Sequence, residues 1–367
     1  MLSLRRRLAT SITPSAAFFA RTTVAPNTPI SIPLNLQPKS VLILATPQNL
    51  SATIESAINL NQNENLQVVV AGVERVVPNG VDNGVSELWM NELMKIGDSV
   101  LLSEKDKPAP LRESDGVHPV GAKVNWKNVK ASLELNLKEM SLSLPLANTA
   151  FYTSLLSTLF YFQPKELVTA GSSVGQTLCG LTVTLPNLEP LLNKATIYDN
   201  WTALSTSEEP LVVTKCTGNL LKGVNKLPAS LFLEKNTKLM SLASKETKVY
   251  VKIYDKLGVC KRYEVIAGGG GWGAKADLLA LSPEAKLSIG DRVEFFMVAP
   301  QDQGKMNTAV VSNQFLFECA AEAKAYGEKS LSTQTVENLF GCGSESGFVA
   351  ANVQHTSPGE SLSMSYN

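Results

Sequence analysis

The chain is poor in histidine. Only His118 and His355 occur in 367 residues. That leaves little capacity for general-base catalysis and makes a zinc site improbable, because such sites draw heavily on His and Cys. The five cysteines, Cys179, Cys216, Cys260, Cys319 and Cys342, are odd in number, far apart and without a Cys-x-x-Cys pair. They read as buried reduced thiols, which fits a reducing compartment. No run approaches the ~18 apolar residues of a membrane span. The longest candidate, Phe151 to Phe162, is interrupted by Thr153, Ser154, Ser157 and Thr158. Also missing are the P-loop pattern and H-E-x-x-H, so neither a phosphate-loop nor a metalloprotease signature is present. A Cys319–His355 pair has no supporting signature either.

Acid is missing from the start of the chain, where the first acidic residue is Glu55. Residues 1–26, MLSLRRRLATSITPSAAFFARTTVAP, carry Arg5, Arg6, Arg7 and Arg21 and many hydroxyl residues. Leu4, Leu8 and Ile12 recur at helical spacing. An amphipathic, Arg-rich, Ser-rich and acid-poor start is the mark of a transit peptide. Residues 1–36 are therefore expected to be a mitochondrial presequence and linker, with Arg21 near a processing site and the matrix as destination. Removing residues 1–21 leaves 29 basic against 33 acidic residues. A mildly acidic body without a basic stripe argues against nucleic acid as a partner.

What is present is ample apolar content. With 44% hydrophobic and 18% charged residues, the chain can fill more than one core. Ser40 to Ala45 (SVLILA) and Gln67 to Val73 (QVVVAGV) read as buried strands around an amphipathic helix at 50–60, a βαβ opening. Residues 148–162 read as a helix capped at Asn148 or Thr149. The segment STSEEP before Leu211 suggests a domain change near residue 210. Beyond it, Val249 to Tyr254 and Cys260 to Ile266 form a hairpin pattern. Leu278 to Leu281, Arg292 to Val298, Gln314 to Cys319 and Ser361 to Tyr366 read as strands, and Thr333 to Phe340 as a short helix. The expectation is an α/β chain of mixed α+β character, with two domains, 37–210 and 211–367, whose mixed sheets are covered by helices.

Gly268, Gly270 and Gly273 formally fit G-x-G-x-x-G. The fingerprint needs a helix directly afterwards to receive the pyrophosphate. Here Pro283 stops any helix early, and Leu278 to Leu281 suits a strand. The glycine run can instead form a loop whose exposed N–H groups, with Trp272, wall a small-molecule pocket, or a structural crossing needing positive φ. Gly269, Gly270 and Trp272 are thus ligand-binding candidates. An enzyme holding a phosphate-bearing cofactor at this loop, and an assembly factor without any ligand, stay open as alternatives.

The stretch Leu211 to Lys235, LVVTKCTGNLLKGVNKLPASLFLEK, resembles the start of the C-terminal half of FIST (F-box and intracellular signal transduction) proteins, through Val213-Thr214, Gly218-Asn219 and Pro228-Ala229. Ser288 to Phe296 and Gln314 to Cys319 are similar to later strands of that family, and the ordered set spans roughly residues 39–367. Two departures stand out. The family's acidic residue is missing around Gly223 to Lys226, and Ala351-Asn352 replaces a Gly-Glu after Gly347-Phe348. The resemblance implies a non-enzymatic sensory module that binds a small, amino-acid-like ligand, without cofactor or metal. It adds Thr214, Asn219 and Cys319 to the ligand-binding candidates. Only leader and linker precede the domain, so no F-box role is implied.

Overall fold

The computed structural model describes residues 17–34, 36–101, 131–137, 140–147, 158–168, 175–186, 192–204, 210–242, 247–256, 260–268, 277–283, 285–298, 313–320 and 332–366. The βαβ opening is formed as expected. Ser40–Ala45 and Gln67–Gly72 pair in parallel, from Ser40 opposite Gln67 to Ala45 opposite Gly72. Between them the helix Pro47–Glu64 starts on Pro47, whose ring presets the first helical φ, and ends at Asn65 in the left-handed region. Its Leu50, Ala57 and Leu60 pack on Val41, Ile43, Val68 and Val70. Both strands are buried on both faces, as a covered parallel pair must be.

The rest is mostly strand. A mixed sheet of twelve described strands contains this pair, and a second, five-stranded mixed sheet packs on its other face. Leu42, Leu44, Val69, Ala71 and Leu88 from the first sheet share one core with Phe315, Phe317, Phe340, Leu362 and Met364 from the second. The sheets are therefore mixed, as expected, but the expected helical cover is corrected. The helix Pro47–Glu64 lies over one face, and the opposite face is covered by a sheet. A strand with alternating apolar residues needs only an apolar partner surface, and either a helix or a sheet supplies one.

Three further expectations are revised. Thr333 to Phe340 is two strands, Gln334–Glu337 and Leu339–Ser344. Val336, Leu339 and Phe340 imitate helical spacing, but Asn338 takes φ 60 and its N–H reaches Ala20 O, shifting the phase of an extended chain. In the expected helix at 148–162, Leu159–Phe162 is a strand paired on both sides, while 148–157 lie outside the described residues. The leader boundary also moves. Phe18–Val24 is an internal strand, flanked by Gly84–Met90 and Gln334–Glu337. Arg21 binds Glu87 there through Nε and a terminal nitrogen, at 2.9 and 2.8 Å, so a cut at Arg21 would divide an internal strand.

The segment 211–298 forms a separate layer. Arg292–Val298, Leu211–Thr217, Leu220–Val224, Leu279–Leu281, Cys260–Gly268 and Lys248–Tyr254 pair in that order, and the last pairs back to Arg292–Val298. All these pairings are antiparallel, so the ring is a closed six-stranded barrel, which leaves no open edge along the ring. Val213, Leu221, Val251, Ile253, Leu279, Val293 and Phe295 fill it. After the barrel the chain returns to the two-sheet unit. Cys342 pairs with Val76, and Val349 with Ser143. The unit expected as 211–367 is thus a barrel followed by strands that complete the first unit. Gln314–Cys319 is buried on both faces, and its composition does not reveal which sheet receives it.

Candidate functional site

The barrel hairpin places Lys252 opposite Arg262 and Tyr254 opposite Cys260. Strand alternation sends Val251 and Ile253 into the barrel core and turns Lys252, Tyr254, Cys260 and Arg262 outward. Outside the barrel these four face the two-sheet unit across a cleft of about 800 Å³. The opposite wall is largely apolar, with Leu137 and Met140 from one hairpin, Leu192 and Ile197 from the segment leading to the barrel, and Val353 and Met364 from the last strands. A cleft of this size between two units is the usual setting for a small-molecule site.

Arg262 anchors the polar floor. Its side chain is only 6% exposed, and the guanidinium donates to Asp199 Oδ2 at 2.8 Å, with Glu360 Oε1 at 2.6 Å. Another of its nitrogens lies 3.0 Å from His355 Nδ1. Guanidinium has donors only, so Nδ1 accepts here. Trp201 lies over the guanidinium, with Cζ 3.8 Å from the ring centre, and stacks on Tyr250 at 4.7 Å. His355 stacks on Phe348 at 4.9 Å. The whole group therefore ties the barrel, the linking segment and the final turn together.

Two neighbours stay neutral. Burial pushes the Tyr254 hydroxyl up to about 12, helped by Cys260 and by Glu294, to which it donates at 3.0 Å. Burial likewise pushes the Cys260 thiol up, against the opposing pull of Lys252. A thiol raised in this way is protonated at neutral pH and is a poor nucleophile. Lys252 differs from Arg262. Its Nζ lies over the Phe296 ring at 4.4 Å and 5.6 Å from the Trp201 ring centre. Among the described residues no carboxylate lies within ion-pair distance of it. Nor, among the described residues, does any group of three or more His, Cys, Asp and Glu side chains converge as metal ligands. The floor is built to hold charge and rings in place.

The residues singled out in the sequence are not gathered here. Gly269, Gly270, Trp272 and His118 lie outside the described residues. The segment after the glycine run, Leu279–Leu281, is a barrel strand, as its composition suggested. Thr214 Oγ1 accepts the Lys226 N–H at 3.1 Å, and Asn219 Nδ2 donates to Leu281 O at 2.7 Å. Both fasten barrel hairpins. Cys319 is buried, and its Sγ donates to the backbone oxygen of His355 at 3.1 Å, so it backs the cleft without entering it. Burial holds its thiol well above the ordinary range. Sequence reasoning missed Arg262, Asp199, Glu360 and Lys252. The available signal was weak: an arginine beside Tyr263, the two buried positions of a strand that is otherwise partly exposed. Comparison with protein-family models, curated proteins and solved structures gives no match.

Proposed function

We propose that the chain is a non-enzymatic, small-ligand-binding module of the mitochondrial matrix, akin to FIST-type sensory proteins, and that the ligand sits between barrel and two-sheet unit. The observation that carries this reading is the 800 Å³ cleft, with a rigid charged floor on one side and an apolar wall on the other. The neutral thiol and phenol support binding in preference to nucleophilic chemistry. The ordered FIST-like motifs point the same way, and the acid-free start supports import.

The test is calorimetry and thermal unfolding of the full chain against a panel of nucleotides, amino acids and organic acids. At least one small molecule is expected to bind with micromolar affinity and raise the unfolding midpoint. Ala195→Trp, which fills the cleft from a half-buried wall position, is expected to abolish that binding and leave the chain folded. Binding of NAD or ATP that survives Ala195→Trp and is lost in Gly270→Asp would overturn the proposal in favour of a cofactor site at the glycine run.

A further inference from the structure

If the cleft is a ligand site, its own chemistry selects one class of ligand. We infer that it takes an amphipathic monocarboxylate: one anionic head on Lys252 and a hydrocarbon body on the Met140–Met364 wall. This deepens the binding proposal above and rests on it.

The head group follows from which charges are already engaged. Asp199 and Glu360, the carboxylates beside the floor, are both held by Arg262 at 2.8 and 2.6 Å. Glu294 accepts the Tyr254 hydroxyl and stands 3.6 Å from Arg292. An ammonium entering the cleft would have to compete with guanidinium for its partners. A carboxylate meets a different situation. Lys252 reaches the floor with its ammonium over two aromatic faces and, among the described residues, no acid within ion-pair distance. Lys194 adds a second cation at the exposed rim. Ring faces attract a cation yet leave the outer side of the ammonium able to donate. The half-buried setting makes such a charge-assisted hydrogen bond stronger than one in open water.

The body follows from the other wall. Leu137, Met140, Leu192, Ile197, Val353 and Met364 line it, and Asn193 is the polar side chain among them. Two unbranched methionines let that wall adjust to a flexible chain. A zwitterionic amino acid would bring an ammonium with no free acid to meet it. A sugar or nucleotide would bury hydroxyls against carbon at a cost. A hydrocarbon chain ending in one carboxylate satisfies both sides.

The test titrates the full chain with octanoate, octanol, octylamine and leucine, each below its aggregation limit, and follows heat and tryptophan fluorescence, since Trp201 stands beside Lys252. Octanoate is expected to bind at least about tenfold more tightly than octanol or octylamine, the scale of one charge-assisted hydrogen bond, with no binding of leucine. Lys252→Met is expected to remove that preference while octanol affinity holds, and Lys252→Arg to restore it. Equal binding of octanoate and octylamine, or loss of all probes alike in Lys252→Met, would overturn the inference. Failure of octanoate alongside Ala195→Trp-sensitive binding of another panel member would overturn the ligand class and leave the cleft proposal standing. Failure of every probe would sink both.

Discussion

Arg262 and Glu360 meet at 2.6 Å with side chains only 6% and 1% exposed. One stands on a barrel strand, the other in the turn before the last strand, Ser361–Ser365. Few solvent molecules reach either charge, so each depends on its partner for solvation. Such a pair fixes geometry more than it adds stability, because desolvation offsets most of the attraction.

Breaking that pair from one side should therefore be severe. Glu360→Gln and Arg262→Met are each expected to cost about 3–5 kcal/mol in urea unfolding, the range for a buried charge that loses its partner. The double variant Arg262→Met, Glu360→Met should cost less than the sum of the two. Additive losses would show that the two residues act independently.

Glu318 should give the chain an acid-favoured component of stability. The residue is 1% exposed. Burial pushes its carboxyl from 4.5 up to about 7, against the pull of the Asn79 and Gly80 N–H groups at 3.4 and 3.1 Å. The folded state then holds a proton that the unfolded state releases. This contribution is complete below pH 4.5 and is lost as pH rises through about 7. Its full span is on the order of 3 kcal/mol. The difference in unfolding free energy between wild type and Glu318→Gln, followed from pH 4.5 to 8, should show this slope. A flat difference would refute the assignment.

Gly341 is required by close backbone approach. It stands at φ +151, and a Cβ there would overlap the Leu316 carbonyl oxygen across the parallel pair. Gly341→Ala is expected to destabilise by several kcal/mol, among the largest single losses, because both sides of the clash are backbone. Gly218→Ala meets no atom within 4 Å but keeps a positive φ of 57, so a cost of about 1 kcal/mol is expected there. Denaturation midpoints of the two variants measure the contrast.

Import should depend on Arg5, Arg6 and Arg7, because an acid-free basic leader responds to the inner-negative potential. Changing all three to Glu is expected to leave the protein in the cytosol. Processing should stop short of Phe18. Thr22 Oγ1 donates to Leu339 O at 2.9 Å, and Arg21 holds Glu87, so loss of the Phe18–Val24 strand parts Gly84–Met90 from Gln334–Glu337 and bares a sheet edge. Mass spectrometry of the mature N-terminus checks this, and an end beyond residue 24 in folded protein would overturn it.

The sequence by itself determined the local elements. Period-two alternation marked the hairpin at 249–266, fully apolar runs marked the two parallel strands, and apolar spacing at 50–60 marked the helix, which the structure extends to Pro47–Glu64. These signals lie within a few residues of one another, where spacing and intrinsic preference act directly. Only the tertiary structure decided partners. Phe18–Val24 sits in a basic, hydroxyl-rich stretch, yet its strand pairs with Gln334–Glu337, three hundred residues away. Gln314–Cys319 follows the barrel in sequence but completes the first core. The cleft residues were hidden for the same reason. Lys252 and Arg262 share one hairpin, but Asp199 and Glu360 come from distant segments and reach them only once the barrel docks. Side-chain pattern says which face of a strand is buried. It does not say against what, because apolar surfaces are interchangeable until the whole chain settles which ones fit together.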